Sequence, residues 1–309
     1  IRFRGKEFLL GGDQHWKTSD SGMQRLASAN RIHARENSLR YVRYLKDFPV
    51  VPMTNNWSDL RWGFDAGDKR YVVETNPGII ERCLLMTTDP GDLVLDPTCG
   101  SGTTAYVAEQ WGRRWITMDT SRVALSLARQ RLMTATFPMF KTKVEDSTNP
   151  ADGFLYKAVP HITLKSIAQN TALDPIFERH QKILDERLAA LNAELAKTPE
   201  RLKVELQTKL ALKEKTEGKR SVTEADRRRW LLPPGNRPGK PYKTVDNDFP
   251  GWYEWEVPFD YDPDWPEGLR KALDAYRKAW RAKMDEVNAC IDSHAEQEDL
   301  VDQPDIIMG

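Results

Sequence analysis

The sequence predicts an α/β fold: the opening of a doubly wound, Rossmann-like parallel sheet, followed by a mainly α-helical extension. Three observations carry this. Leu93-Val94-Leu95 runs into the glycine loop Gly100-Ser101-Gly102 and then into a helical pattern, as a parallel strand passes to its crossover helix. Trp115-Ile116-Thr117-Met118 follows as a second apolar strand, completing a β-α-β pattern. Leucines at 184, 188, 191, 195, 202, 206 and 210 then recur at helical spacing, with Glu and Lys filling the other faces.

Taken in order, residues 1–60 mix arginines with aromatics: Arg25, Arg31, Arg35, Arg40, Tyr41, Arg43 and Tyr44. They suit either a stacking surface for nucleic acid or the solvated face of an amphipathic helix. Phe48-Pro49-Val50-Val51-Pro52 breaks any helix there. Tyr71-Val72-Val73 reads as a short strand or extended segment. Pro77 opens a helix to about residue 86, at its favoured first position. Asp89-Pro90-Gly91-Asp92 is a turn, and Leu93-Val94-Leu95 a short buried strand. Residues 103–111 form a helix that Gly112 ends. Ser121 caps a helix to about residue 134, with Val123, Ala124, Leu127, Ala128 and Leu132 on one face. Residues 174–216 are a long helical pattern that Pro199 divides into two helices of a hairpin or coiled coil. Residues 217–251 read as a basic loop rich in Pro and Gly, and 268–300 as a final amphipathic helix.

With 309 residues, 39% hydrophobic and 30% charged, the chain has room for roughly two domains. No apolar run approaches the ~18 residues of a membrane span, so no membrane partner is expected. Cys83, Cys99 and Cys290 are too few and too scattered for a disulfide framework or a zinc cluster; a reducing, cytoplasmic setting follows. Ile1-Arg2-Phe3-Arg4 has neither an initiator Met nor a signal-peptide core, so the chain is expected to begin inside a longer protein. The zero net charge hides a segregation: +7 over residues 151–245 and −11 over 246–309. Such a distribution suits a polyanion partner, or two halves that pair with each other.

The segment from Leu93 to Thr104 carries the chemistry. Its glycines let the backbone approach a ligand closely, and the amides at the start of the next helix favour an anionic group. Asp119 ends the second strand, where a carboxylate can accept two hydrogen bonds from ribose hydroxyls. An adenosine-containing cofactor fits this arrangement. Gly100-Ser101-Gly102-Thr103-Thr104-Ala105 also matches the dinucleotide pattern G-x-G-x-x-G/A. Asp96 separates the two cofactors. A carboxylate before the glycines repels a pyrophosphate but attracts the ammonium of S-adenosylmethionine, and one such contact is worth a few kcal/mol at about 4 Å.

Asp96-Pro97-Thr98-Cys99-Gly100-Ser101-Gly102-Thr103-Thr104 resembles the cofactor motif of amino-group DNA methyltransferases, D-P-F-x-G-S-G-T-T. It is most similar to the circularly permuted β group, which includes modification subunits of type III restriction systems. There the catalytic half comes first, then target recognition, then this motif. Asn76-Pro77 stands where the family has the Lys-Pro that opens a helix beside the methionine part of the cofactor. Gly153-Phe154-Leu155-Tyr156-Lys157 and His161-Ile162-Thr163-Leu164-Lys165 are similar to segments of large site-specific enzymes of this kind.

The resemblance implies a partial S-adenosylmethionine-dependent methyltransferase fold. Asp96, Pro97, Thr98, Gly100, Ser101, Gly102, Thr103, Asp119, Thr120, Asn76 and Pro77 would hold the cofactor. It implies methyl transfer to the exocyclic amino group of a flipped adenine or cytosine in double-stranded DNA. Thr98 departs from the family's aromatic, and no D-P-P-Y, N-P-P-Y or S-P-P-Y occurs. Leu232-Pro233-Pro234-Gly235 has neither the polar acceptor nor the aromatic of that motif. The family order places the motif, and with it the catalytic residues, upstream of Ile1. Residues 1–60 would then end the target-recognition half, 61–172 form the cofactor-binding half-domain, and 173–309 the helical extension. A restriction subunit is a possible further partner.

Arg40, Arg43, Arg227, Arg228 and Arg229 are the candidate DNA contacts, the last three being equally compatible with a solvated loop. Asp146-Ser147 suits the adenine edge or a loop cap, and Trp57 and Asp59 are placed near the cofactor. His161 and Lys165, four apart on a possible helix, lack a carboxylate partner and read as structural. Cys99 reads as a small loop residue. Two other functions compete: an NAD(P)-dependent oxidoreductase using the same loop, and a non-catalytic nucleic-acid-binding module built on the basic stretches.

Overall fold

In a computed structural model, which describes residues 1–9, 15–35, 38–60, 71–232 and 250–308, the chain divides into two units. One comprises Phe48–Pro160 with Gln297–Gly309, the other Ile1–Asp47 with His161–Glu296. Neither follows the expected boundaries at 60 and 172, because the chain leaves the α/β unit and later returns to it.

The α/β unit is built on the expected strand–loop–helix succession. Asn76 caps the helix Pro77–Thr87, its side chain accepting from the Gly78 amide, with Pro77 in the first turn. Strand Leu93–Asp96 leads through the glycine loop to helix Thr103–Gln110. Gly112, at φ +69°, turns the chain into strand Arg114–Thr117. Ser121 then caps helix Arg122–Thr134 by accepting from the Ala124 amide. The two strands pair in parallel, from Leu93 opposite Arg114 to Asp96 opposite Thr117. Their inner face meets a core of Leu84, Val107, Ala108, Trp111, Phe140 and Phe154, with Val94 and Trp115 packed against it.

The outer face is bare, which corrects the expected buried strand. Leu93 is 53% exposed, Leu95 62% and Ile116 50%, because no layer of the described residues covers this side of the two-stranded sheet. Val123 is also exposed, while Ala124 and Ala128 of its helix are buried. Tyr71-Val72-Val73 forms a turn rather than a strand; the Glu74 amide donates to the Tyr71 carbonyl, and both valines face solvent.

The expected helix to residue 300 ends at Ser293. Beyond it, Glu296–Pro304 is a strand beside Tyr156–His161, and Ile306–Met308 pairs antiparallel with Met139–Phe140. Glu296, Glu298, Asp299 and Asp302 weigh against a continued helix. As helix they would set like charges three and four residues apart near a negative dipole end.

In the other unit the Leu stripe splits as expected, into Asp174–Ala196 and Glu200–Glu217, with Pro199 as the second cap. The first helix packs chiefly along Glu267–Ser293 rather than on its hairpin mate. Leu184, Leu191, Leu195 and Leu206 are buried among Trp252, Trp265, Leu269, Leu273 and Tyr276. Residues 19–47 are not one amphipathic helix. Asp20–Ser28 is helical, and Ile32–Arg35 with Ser38–Tyr41 forms an antiparallel hairpin. Arg31 is fully buried, ion-paired to the equally buried Asp47 and stacked 4.3 Å from the centre of the Tyr44 ring. Arg25 pairs with Asp174 at 2.7 Å.

Part of the expected 217–251 loop is a helix, Glu224–Trp230, because Thr223 and Asp226 form a reciprocal capping box. Residues 233–249, including Pro233-Pro234-Gly235, lie outside the described residues. Burial disfavours the charged form of Asp226. The Lys213 ammonium at 2.8 Å, the Thr223 amide and hydroxyl, and Arg229 outweigh it and hold the carboxyl well below the usual range. Its folded pKa is thus below its unfolded one. The stabilisation is present above the ordinary carboxylate range and is lost as pH falls through the depressed value. Asp226→Asn should therefore lower the denaturant midpoint at pH 7, with the gap from the parent narrowing below about pH 4. An unchanged gap at both pH values would contradict this role.

Candidate functional site

The glycine loop lies at the carboxyl end of strand Leu93–Asp96, where ligands bind in open α/β sheets. Local bonds set its path. The Cys99 amide donates to the Met118 carbonyl at 3.0 Å, and the Met118 amide to the Asp96 carbonyl at 3.0 Å, so the loop stays tied to the neighbouring strand. Cys99 itself is buried. Gly100 and Gly102 have φ of +52° and +77°, the left-handed region that glycine enters without strain. Gly102 also touches the next helix: a Cβ there would stand 2.8 Å from that of Ala128.

The two carboxylates flank this loop. Asp119 accepts from the Gly100 amide at 2.9 Å and the Ser121 amide at 2.8 Å. These bonds, first Ser121 and then Gly100, hold its carboxyl below the usual range. Each oxygen still has a lone pair for a further donor. Asp96 accepts from the Thr98 amide at 3.0 Å and is otherwise open to solvent-side donors. No side chain caps helix Thr103–Gln110, so its first amides have no side-chain acceptor. Pro97, Thr98 and Thr120 are exposed around it, and Ser101 and Thr103 are buried beneath.

Asn76 and Pro77 sit at a helix start, as expected, with the Asn76 amide also donating to the Leu60 carbonyl at 2.9 Å. The sequence reading missed two residues that join this helix start to the loop. Glu74 and Arg131 form a buried ion pair at 3.0 Å, and Arg131 donates to the Thr103 hydroxyl at 3.0 Å. They lie 57 positions apart, so no local spacing could announce them. Glu74 precedes Asn76-Pro77 and Arg131 lies near the end of the helix that Ser121 caps, and neither belongs to a motif.

The remaining candidates fall elsewhere. Asp59 is ion-paired to Arg82, whose guanidinium lies 5.6 Å from the centre of the Trp57 ring. Ser147 donates to Asp152 at 2.5 Å, and Asp146 has a positive φ, as in a loop cap. His161 ends a strand and Lys165 belongs to the helix Leu164–Ala168, so they do not share a helix face. Arg227 pairs with Glu214, Arg228 with Glu224, and Arg229 with Asp226 and Asp260. Arg40 and Arg43 are exposed. A cavity of about 420 Å³ lined by Asp89, Lys143, Asp152, Tyr156 and Asp299 adjoins the start of strand Leu93–Asp96, away from the loop at its other end.

Comparison with known proteins bears on this region. Residues 13–130 match a family model described as DNA methylase. The type II methyltransferase M.EcaI of Enterobacter cloacae is 30% identical over 140 residues, 43% of this chain and 30% of that protein. M2.DpnII of Streptococcus pneumoniae is 48% identical over 54 residues, and M2.LlaDCHI of Lactococcus lactis subsp. cremoris 44% over 54, each match covering 18% of this chain and 20% of the relative. The chain thus spans less than a third of the length of these relatives. The strand, the glycine loop and both carboxylates lie within the stretch that matches the DNA methylase family model.

Proposed function

We propose that this chain is the cofactor-binding part of a site-specific DNA amino-methyltransferase, acting on N6 of adenine or N4 of cytosine with S-adenosylmethionine as methyl donor. The observation that carries the reading is the loop Gly100–Thr103 between an uncapped helix start and the carboxylates Asp96 and Asp119. The donor set fits that cofactor. Asp96 would hold the ammonium, the helix start the carboxylate, and Asp119 with Thr120 the ribose hydroxyls. Pro97, Thr98, Gly100, Ser101, Gly102 and Thr103 would shape the cradle, and Asn76-Pro77 the methionine side. When bound, the cofactor supplies an electrophilic methyl group, and the chain's own residues orient it.

The base-gripping half is proposed to lie outside these 309 residues, in the permuted order of type III modification subunits. The bare sheet face supports this: Leu93, Leu95, Ile116 and Met118 form an apolar patch of a kind that marks a missing contact. Double-stranded DNA is the proposed partner, met by Arg40 and Arg43; Arg227, Arg228 and Arg229 would have to exchange existing ion pairs for phosphates. A restriction subunit and a cytoplasmic setting belong to the same reading. Among the described residues no helix is long and apolar enough to cross a membrane.

Calorimetric titration with S-adenosylmethionine tests the proposal, with NADH as comparator. S-adenosylmethionine should bind and NADH should not. Asp119→Ala should weaken binding at least about tenfold, through loss of hydrogen bonds to a charged acceptor. NADH binding in its place would overturn the reading in favour of an oxidoreductase.

A further inference from the structure

We infer that Glu74 and Arg131 are positioning residues that clamp the glycine loop from behind; the inference rests on the loop being the cofactor site. Arg131 stands in the last turn of helix Arg122–Thr134, its side chain 7% exposed, and Glu74 in the turn before Asn76-Pro77, its side chain 3% exposed. Their ion pair closes on Thr103, the first residue of the helix after the loop. Arg131 donates to the Thr103 hydroxyl at 3.0 Å, and that hydroxyl lies 3.5 Å from both Glu74 and the Ser101 hydroxyl. The guanidinium also lies 4.4 Å from the centre of the Tyr106 ring, one turn further along the same helix.

Both elements that bring the pair also press on the glycines. Ala128, one turn before Arg131, touches Gly102, and Tyr71, bonded through its carbonyl to the Glu74 amide, flanks Gly100. The loop is thus held between the 71–74 turn and the 128–131 turn of the second helix. The ion pair joins the segment that leads into Asn76-Pro77 to the helix that backs the glycine loop. A site that must hold its ligand to within a fraction of an ångström needs such backing.

A clamp and a merely stabilising ion pair respond differently to removal of both charges. Losing one partner leaves a buried charge uncompensated, whereas replacing both by well-packed hydrophobic residues of similar volume is often close to neutral for stability. In the full chain, Arg131→Met alone should lower both thermal stability and S-adenosylmethionine affinity. Glu74→Met combined with Arg131→Met should recover most of the melting temperature. It should still bind about tenfold or more weakly, because the Thr103 hydroxyl has lost its donor. Arg131→Lys should bind between the two. Without any cofactor, the amides of residues 99–104 should exchange hydrogen faster in the double variant than in the parent. Parent-like protection of those amides, or affinity that recovers together with the melting temperature, would overturn the clamp. Absence of S-adenosylmethionine binding by the parent would overturn the proposed function, while the exchange measurement would still decide the clamp.

Discussion

Gly102→Val is expected to disrupt the α/β unit more than any single change on its surface. The residue has φ +77°, where a β-branched side chain is strained by about 1–3 kcal/mol. The new Cβ would meet the Ala128 Cβ at 2.8 Å and its backbone Cα at 3.2 Å, neither of which a rotamer change can move. Overpacking of this kind costs a further ~1–3 kcal/mol. The helix Arg122–Thr134 must back away, taking Arg131 with it. Hydrogen exchange of residues 93–134 should rise, and the unfolding midpoint of this unit should fall. Parent-like stability would mean that the loop does not take this path.

Asp47→Ala should cost the helical unit about 3–5 kcal/mol, the range for removing one partner of a buried ion pair. Both Arg31 and Asp47 are fully buried. The Asp47 carboxylate also accepts from the Tyr44 amide at 2.7 Å, and its carbonyl from the Ile162 amide at 2.8 Å. The side-chain change strands the Arg31 guanidinium and leaves the Tyr44 amide without its acceptor. Asp47→Leu with Arg31→Met should be milder, since neither charge is left behind. Urea unfolding of the full chain, read by exchange at residues 20–35 and 161–176, measures both. A loss below about 1 kcal/mol for Asp47→Ala would show that the pair is not desolvated.

These two predictions mark where the sequence could be read and where it could not. The turn at Gly102 was visible because glycine spacing, strand pattern and helix start are local properties, all within a dozen residues. The same holds for Pro77, Ser121 and Pro199, each of which begins a helix by its own chemistry. Arg31, by contrast, looked like one arginine in a basic stretch. Its burial depends on Asp47, and that of Arg131 on Glu74, through turns that no periodicity reports. The strand at Glu296–Pro304 was hidden in the same way: its pairing partner precedes it by the whole helical segment. The helix at Glu224–Trp230 was legible in principle, since Thr223-x-x-Asp226 is a capping signal, but the surrounding Arg, Pro and Gly masked it. Which carboxylates meet the loop was legible, whereas what backs the loop was not.

The return of residues 297–308 to the α/β unit has a consequence for biosynthesis. Phe140 and Tyr156 leave the ribosome long before Ile306 and the Glu296–Pro304 strand that pair with their segments. At about 5–20 residues per second, the intervening His161–Glu296 takes on the order of ten seconds to be made. During that interval the nascent sheet exposes strand edges with no partner, the condition in which a trigger-type holdase or a neighbouring nascent chain can capture them. A circular permutant that brings 297–308 ahead of residue 48 would remove the wait.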